Sequence, residues 1–470
     1  MARRPSRGAV AALGGLLLAL TSAVLPAAAA PPAAPAAEDT GMTHDAPDAG
    51  ALSRQVQRSG QLSPPGYQLS GKPVRGTADR QSAPVIAPGQ YQDSIGPNEE
   101  RYYATDLDAA SAADFSATAV PQAGAAADAP DALHTKVVYG TDSSCASTTA
   151  MSGQRDGAAP LTSAVSRIPS QHGTNSCDKA GRYWLVVQRT AAKAASAARW
   201  PLELTFHVEP PLPKGVTPAP SQPDYGAGGK DATLPTTAPK GVSGGTGFND
   251  ASLLHQGVWR DRILPAQTLW YKVPVGWGQQ LRYDVEFANE PKAKGSVTRT
   301  SFGSTQVYTP YRAPVGNGTG QFIPQVPYNG RVASLKMGTV PVSWANRYET
   351  HPDVIPVHAK GDFYIAVTLG ARAAQISESP QIGVVLRVAV LGKEKAGPEA
   401  AATPLNSGVT GGGSGSAAGT GRWPAIRVAG VSVGVVGVLL LVGLGTSYVW
   451  ARRKPRPTGA AGDPRKSGSW

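Results

Sequence analysis

The sequence predicts an all-β protein with two tandem antiparallel β-sandwiches, followed by one C-terminal transmembrane helix. Two patterns lead to this prediction: strand-type alternation in short runs, and an uncharged apolar stretch near the C-terminus. In residues 202–208, apolar side chains alternate with Glu203, Thr205 and His207, which are expected to face water. The 55 Gly and 42 Pro among 470 residues supply many turns between such strands.

The N-terminal part of the chain is predicted to lie outside the folded sandwiches. Residues 1–30 contain three arginines, an apolar run and an Ala-rich end, which is the pattern of a secretory signal peptide. An uncleaved signal anchor is the alternative. Residues 31–65 consist mainly of small and polar residues without periodicity and are predicted to be a disordered leader. The chain is therefore expected to be exported.

Composition divides the exported part into two sandwiches and two spacers. The sandwiches are predicted at residues 66–209 and 247–394, where the alternating runs occur. Residues 210–246 form a Pro/Gly/Thr linker between them, and residues 395–427 form a flexible stalk before the apolar stretch. The linker predicts that the two sandwiches are separate domains.

The two sandwich segments are predicted to be copies of one another. Residues 81–103 align without a gap on residues 249–271, a shift of 168 that preserves Gly, Asp, Ile, Pro and Tyr at equivalent places. Residues 202–208 align on residues 382–388 at a shift of 180, so a net insertion of 12 residues is expected in the second copy. Matching order over both blocks indicates a duplication.

The C-terminal end has the pattern of a single membrane span. Residues 428–450 carry no charge, and a helix of this length extends about 34 Å, enough for a hydrocarbon core of about 30 Å. The basic tail at residues 451–470 predicts a cytoplasmic C-terminus and hence a type I protein of the cell membrane. Small residues at helical spacing, Gly430, Gly434 and Gly437, allow a homodimer through this helix.

The positive charge of the chain does not indicate nucleic acid as a partner. The formal net charge is +12, but much of it lies in the first few residues and in the basic tail. No stripe of Lys and Arg with interleaved aromatic residues occurs between these ends. The basicity is therefore attributed to membrane topology.

A family resemblance follows from the repeated pattern. Glycine, an aromatic residue, aspartate, isoleucine and proline are spaced along residues 89–97 and again along 257–265, each followed by paired aromatics. A Gly-x-aromatic-aromatic-type run then occurs at residues 181–187 and 361–367. This series resembles the bacterial pre-peptidase C-terminal (PPC) domain, and the first copy also resembles modules of actinobacterial von Willebrand A-containing surface proteins. The resemblance implies a jelly-roll-like β-sandwich with an accessory or interaction role and no catalytic residues.

The two cysteines of the chain, Cys145 and Cys177, are predicted to form a disulfide. Both lie in the first copy, and an exported chain with only two thiols most simply pairs them. The alternative is a nucleophile–base pair of Cys177 with His172.

No sequence motif indicates an enzyme, a cofactor or a metal site. The zinc-protease, serine-hydrolase and P-loop motifs are absent from the sequence. His351, Asp353 and His358 could approach a metal, but the two prolines among them favour an ordinary polar loop. The adjacent Glu99 and Glu100 are interpreted as solvated charges in a turn. We therefore predict a non-enzymatic protein without a metal or cofactor.

The second copy is rich in aromatic residues that have no match in the first. Trp277, Tyr308, Tyr311 and Trp344 form the candidate binding surface, because exposed aromatic side chains anchor protein partners or stack on sugar rings. The predicted function is binding or scaffolding of another exported or membrane protein at the cell surface. The alternative is binding of cell-wall glycan through the same four side chains.

Overall fold

The computed structural model describes residues 66–398, except 122–130, 142, 153–158, 172, 174, 192–196, 223–231, 295–299 and 319–320. Among these residues the only helices are four short 3-10 helices, and none is long and apolar enough to cross a membrane. The predicted signal peptide, leader, transmembrane helix with Gly430, Gly434 and Gly437, basic tail and most of the stalk lie outside the described residues. The all-β prediction is confirmed.

The first copy consists of two sheets around one core. Its strands are β1 (Lys72–Pro73), β2 (Gly89–Ile95), β3 (Glu100–Leu107), β4 (Ala112–Ala119), β5 (Ala132–Tyr139), β6 (Ser143–Met151), β7 (Leu161–Arg167), β8 (Gly181–Thr190) and β9 (Trp200–Glu209). One sheet has the order β1-β2-β9-β4-β7 and the other β3-β8-β5-β6. Side chains of both sheets share a core that includes Tyr103, Phe115, Tyr183 and Phe206.

The second copy repeats this arrangement. Its strands are β10 (Lys240–Gly241), β11 (Ser252–Leu253), β12 (Gly257–Ile263), β13 (Thr268–Val275), β14 (Gln280–Phe287), β15 (Ser301–Tyr308), β16 (Pro314–Val315), β17 (Gln325–Tyr328), β18 (Ala333–Gly338), β19 (Gly361–Leu369) and β20 (Ile382–Leu391). One sheet has the order β10-β12-β20-β14-β18 and the other β11-β13-β19-β15-β16, with β17 also paired to β15.

Equivalent side chains make equivalent bonds in the two copies. The Tyr103 hydroxyl donates to Asp93 Oδ2 at 2.7 Å, and the Tyr271 hydroxyl donates to Asp261 Oδ2 at 2.8 Å. Each aspartate also accepts a bond from the backbone N–H of a glycine 17 residues earlier. These bonds attach the segment before the first long strand to the core, so the repeated aspartate and tyrosine serve the fold.

Strand register corrects the alignment of the last strands and the predicted start of the second copy. Ile95 pairs with Trp200 in the first copy and Ile263 with Ile382 in the second, so the last strands correspond at a shift of 182 rather than 180. A two-residue displacement leaves the alternation of a strand unchanged, which is why the sequence could not distinguish the two registers. Strand β10 pairs with β12 as β1 pairs with β2, so the second copy begins inside the predicted linker 210–246.

The predicted disulfide is confirmed. Cys145 of β6 is bonded to Cys177 in the 3-10 helix Ser176–Asp178, with Cα atoms 5.6 Å apart. Buried Arg167 supports the same loop, because its Nε donates to the Cys177 carbonyl at 2.9 Å. The bond therefore secures the loop that connects β7 to β8, and it leaves no thiol for the alternative reaction with His172.

Candidate functional site

The four predicted surface aromatics do not form an exposed surface. Trp277 is 4 % exposed and lies in the core of the second copy, and Tyr308 is 1 % exposed. Tyr311 is half-buried against His207 of the first copy, and Trp344 packs against the core of its own copy. The predicted aromatic surface is therefore wrong, because Tyr308 is a buried residue of β15, and the segments that carry the other three fold back onto a core or onto the other copy.

The outer face of the first copy's larger sheet is buried instead. On β4 and β9, Phe115 and Leu204 point into the core, while Asp114, Glu203 and Thr205 point to the opposite side. These three polar residues are at most 3 % exposed. The expectation that Glu203 and Thr205 face water is wrong, because residues of the second copy cover this face.

An aromatic cluster joins the two copies at one end of this junction. Tyr67 of the first copy lies 6.2 Å from Trp270 of the second between ring centroids, in an edge-on arrangement. Phe248 lies 4.5 Å from Trp270, and Tyr308 stacks on Trp270 at 5.5 Å. Such pairs add roughly 0.5–1.5 kcal/mol each beyond the apolar area that they bury. We call these four residues the junction aromatic cluster.

Next to this cluster, Arg312 and Glu203 form a buried ion pair between the copies. Nη1 of Arg312 donates to Glu203 Oε1, and their side chains are 3 % and 0 % exposed. The guanidinium also lies 4.6 Å from the centre of the Phe248 ring. Burial alone would lower the pKa of Arg312, but the charge of Glu203 outweighs it and raises that pKa above its usual value.

Arg312 reaches this position through an unusual backbone conformation. Its φ angle is 64°, in the left-handed region that non-glycine residues rarely adopt. The turn that follows β15 thus directs the guanidinium at the first copy. Glu203 is satisfied further by Gln90 Nε2 at 2.7 Å and by Asn249 Nδ2 at 2.9 Å. The complete set of donors is what makes a fully buried carboxylate tolerable.

A second buried ion pair joins Arg347 to Glu209. Nη2 of Arg347 donates to both carboxylate oxygens at 2.8 Å, and the side chains are 2 % and 5 % exposed. Arg347 lies in the 3-10 helix Trp344–Tyr348, whose N-terminus is capped by Ser343, and its guanidinium stacks 4.3 Å from the Trp344 ring. Trp344 thus positions an interdomain arginine rather than an external ligand.

The third contact pairs His358 with Asp114. Nε2 of His358 lies 3.4 Å from Asp114 Oδ1, with both side chains buried, but this approach lacks hydrogen-bond geometry. His358 Nδ1 donates to the Ile355 carbonyl at 2.6 Å, and the Ser166 hydroxyl donates to Asp114. Burial would raise the pKa of Asp114, but the neighbouring His358, Ser166 and Arg347 outweigh it and hold that pKa below its usual value.

The histidine beside this contact adds no charge near neutral pH. His207 lies opposite Asp114 in the register of β4 and β9, and its ring is 4.8 Å from that of Tyr311. Burial lowers the pKa of His207 to about 4, although the charge of Asp114 opposes this effect. His207 is therefore expected to be neutral at pH 7.

The predicted loop residues His351, Asp353 and His358 do not converge on one site. Asp353 is buried and its Oδ2 accepts a bond from the Gly318 N–H at 2.7 Å, whereas His351 is exposed. His358 bonds to the nearby Ile355 carbonyl, and its ring faces Asp114 of the first copy, far away in sequence. The sequence analysis did not identify the three buried carboxylates or the two buried arginines of the junction. One sequence signal could have indicated the buried carboxylates: Glu203 and Glu209 occupy strand positions at which the second copy has apolar residues.

Comparisons with known proteins do not identify a family. No protein-family profile and no curated protein matches the chain. A cowpea mosaic virus top component is similar over 67% of this chain and 95% of its own, at 9% identity and a TM-score of 0.17. The CBM22-1-CBM22-2 tandem domain of Paenibacillus barcinonensis Xyn10C covers 71% of this chain and 100% of its own, at 11% identity and a TM-score of 0.17. These TM-scores are too low to support an argument about function, and the PPC resemblance stays a prediction.

Proposed function

We propose that the chain is a non-enzymatic type I surface protein whose two sandwiches act as one rigid module that binds or scaffolds another exported protein. The observation that carries this proposal is the buried junction between the copies. Three carboxylates of the first copy contact Arg312, Arg347 and His358 of the second, and all six side chains are at most 6 % exposed.

A junction of this kind favours a fixed orientation over independent movement. Separating the copies would expose the junction aromatic cluster to water and break the buried pairs, so an open arrangement is disfavoured. Domains that only share a tether usually move relative to each other. A fixed pair instead offers a partner one continuous surface, and its binding avoids the entropy cost of ordering two domains.

The predicted topology and resemblance agree with this role. A signal peptide and a C-terminal span would hold the sandwiches outside the membrane, and the PPC resemblance implies an accessory function. The glycan alternative depended on four exposed aromatic side chains. Because Trp277 and Tyr308 are buried, this surface supports neither function, and glycan binding is kept only as an outcome of the experiment.

The test is to recover the partner and ask whether its binding needs the junction. Tagged full chain is solubilised from its native membrane with detergent, and co-purifying exported proteins are quantified. The double variant Arg312→Ser/Arg347→Ser should separate the copies, because the released carboxylates then become hydrated. The matched control is Arg387→Ser, which removes a half-exposed arginine 3.7 Å from Glu286 on the second copy.

We expect a stoichiometric partner with the wild-type chain and with Arg387→Ser, and its loss with the double variant. Small-angle scattering should show a larger radius of gyration for the double variant only. Equal recovery of the partner by all three chains would contradict the rigid-module proposal. Absence of any partner, with sedimentation of the chain with purified cell wall, would replace it by the glycan alternative.

A further inference from the structure

The contact of His358 with Asp114 leaves buried acceptor atoms facing one another. The Ile355 carbonyl can only accept, so His358 Nδ1 carries its proton and a neutral ring has its lone pair on Nε2. Neither His358 Nε2 nor Asp114 Oδ2 has a hydrogen-bond partner, and these residues are 2 % and 3 % exposed. Unpartnered buried acceptors cost free energy, and a proton or a metal ion between the carboxylate and the ring nitrogen would remove this cost.

A third ligand atom lies at the same place. One oxygen of Asp114, one oxygen of Glu209 and one ring nitrogen of His358 all lie within 4.8 Å of one another. The separation of His358 Nε2 and Asp114 Oδ1 is 3.4 Å, which is long for a hydrogen bond. It matches two ligands of a tetrahedral zinc ion, which lie about 3.4 Å apart when each bond is about 2.0–2.1 Å.

We propose that Asp114, Glu209 and His358 bind one divalent transition-metal ion of the zinc class at the junction of the two copies. Two carboxylates and one imidazole are a donor set that such ions accept, with water or a neighbouring group as a further ligand. The local charge agrees with this assignment. The two carboxylates carry two negative charges, and Arg347 supplies the single guanidinium that contacts one of them, so the carboxylates and this arginine together leave a net negative charge in a buried place.

Neighbouring bonds orient the proposed ligands as in known metal sites. A metal-binding histidine almost always donates its other ring N–H to a carbonyl or carboxylate, and His358 does so to Ile355. The Ser166 hydroxyl donates to Asp114 Oδ1, which fixes that carboxylate. Arg347 Nη2 holds Glu209 from one side at 2.8 Å to both oxygens, and a carboxylate has further lone pairs for a metal.

The ligands come from both copies, so metal binding and docking are coupled. Asp114 and Glu209 lie on β4 and β9 of the first copy, whereas His358 lies in the loop before β19 of the second. A metal bound to all three therefore stabilises the docked arrangement by mass action. This inference concerns the junction itself and does not depend on the identity of a protein partner.

The test is metal binding by the full chain after treatment with EDTA. Zn²⁺ is titrated in competition with a chromophoric chelator, and Co²⁺ is added separately to record its visible ligand-field absorption. We expect one equivalent of either ion and a Co²⁺ spectrum typical of tetrahedral coordination. Asp114→Asn and His358→Gln should each weaken Zn²⁺ binding by roughly 100-fold or more. The matched control His255→Gln changes an exposed histidine of the same copy and should leave binding unchanged.

Circular dichroism establishes whether each variant is folded. If a ligand variant is not folded, the wild-type titration decides alone, because a chain with this site must take up Zn²⁺ saturably and must melt at a higher temperature with Zn²⁺ than with EDTA. Absence of saturable uptake by the wild-type chain would overturn the proposal, as would unchanged affinity in both folded variants. A wild-type chain that melts at the same temperature with Zn²⁺ and with EDTA would also overturn it.

Discussion

The first sandwich meets the junction with carboxylates, whereas the second meets it with two arginines and a histidine. Asp114, Glu203 and Glu209 lie on β4 and β9 of the first copy. By strand register their equivalents on β14 and β20 are Arg282, Val385 and Leu391. The carboxylates therefore occur on this sheet face in only one copy, and residues between the strands of the other copy dock on them. Because the second copy lacks the carboxylates, it cannot accept another second copy in the same way, so the arrangement closes at two sandwiches.

The loops that follow equivalent strands are also secured differently. In the first copy, the loop from β7 to β8 carries Cys177 and is held by the disulfide to Cys145. In the second copy, the loop from β18 to β19 carries Arg347 and His358 and is held by docking to the first copy. The comparison shows that the same loop can be fixed by a covalent bond or by an interface.

The largest expected effect comes from removing a cation of the junction. Arg312→Met leaves Glu203 buried without its charge partner, and we expect a loss of about 3–5 kcal/mol in the free energy of unfolding, measured by urea denaturation. The matched surface change Arg387→Met should cost less than about 1 kcal/mol, because its contact with Glu286 is half-exposed. Equal effects of the two substitutions would show that the junction does not contribute to stability.

Loss of the disulfide should lower the free energy of unfolding slightly less than Arg312→Met does, and it should affect only the first copy. Replacing Cys145 and Cys177 by alanine opens a loop with a sequence separation of 32, and we expect a loss of about 3–4 kcal/mol in the chain-entropy description. Hydrogen exchange should show the increase in opening at β6 and the loop before β8. Faster exchange in the second copy to the same extent would contradict the separate roles of the two loops.

Removing the hydroxyl of either repeated tyrosine should lower the free energy of unfolding by a smaller amount. The loss should be the same in both copies. Tyr103→Phe and Tyr271→Phe each remove a buried donor to a half-buried aspartate, so we expect a loss of about 1–3 kcal/mol for either substitution, measured by thermal unfolding. Tyr91→Phe is the control, because its hydroxyl bonds to the Ala87 carbonyl near the surface. A large difference between Tyr103→Phe and Tyr271→Phe would mean that the duplicated bonds are not equivalent.

The smallest expected effect is on the pH dependence of stability, to which Glu99 of the first copy contributes and the equivalent Gln267 of the second does not. Glu99 Oε2 accepts from the Gly96 N–H at 2.6 Å, and Gln267 makes the equivalent bond to Leu264 at 2.8 Å in the second copy. Burial would raise the pKa of Glu99, but the Gly96 bond and the guanidinium groups of Arg199 and Arg101 outweigh it and lower that pKa.

A lowered pKa in the folded state stabilises the protein above the unfolded value of 4.5, and this contribution is lost as pH falls through the folded pKa. Glu99→Gln should therefore reduce stability slightly at pH 7 and have little effect in strong acid. Stability curves from pH 2 to 8 measure the difference. A constant offset at every pH would show that the charge of Glu99 has no role.

The sequence predicted the parts of the fold that depend on local pattern. Alternation and turn residues predicted strands, the shared Asp93 and Asp261 indicated a duplication, and two exported thiols predicted the disulfide. The junction could not be predicted in the same way. Alternation shows that Glu203 lies opposite Leu204 on its strand, but it does not show what covers that side. The covering residues, such as Arg312, lie in loops more than 100 positions away that have no match in the first copy.

The connection between the copies has a consequence for the strength of their interface. Glu209 is the last residue of β9, and the chain then runs on to β10, touching the second copy where the Ser343 hydroxyl donates to the Ala219 carbonyl at 2.5 Å. A covalent tether of this kind makes docking intramolecular, with an effective concentration that reaches the millimolar range for a short linker. Even an interface with a dissociation constant near that range in separate molecules would then hold the two sandwiches together. A protease that cuts between Ala219 and Lys240 would remove this advantage and leave only the affinity of the two surfaces themselves.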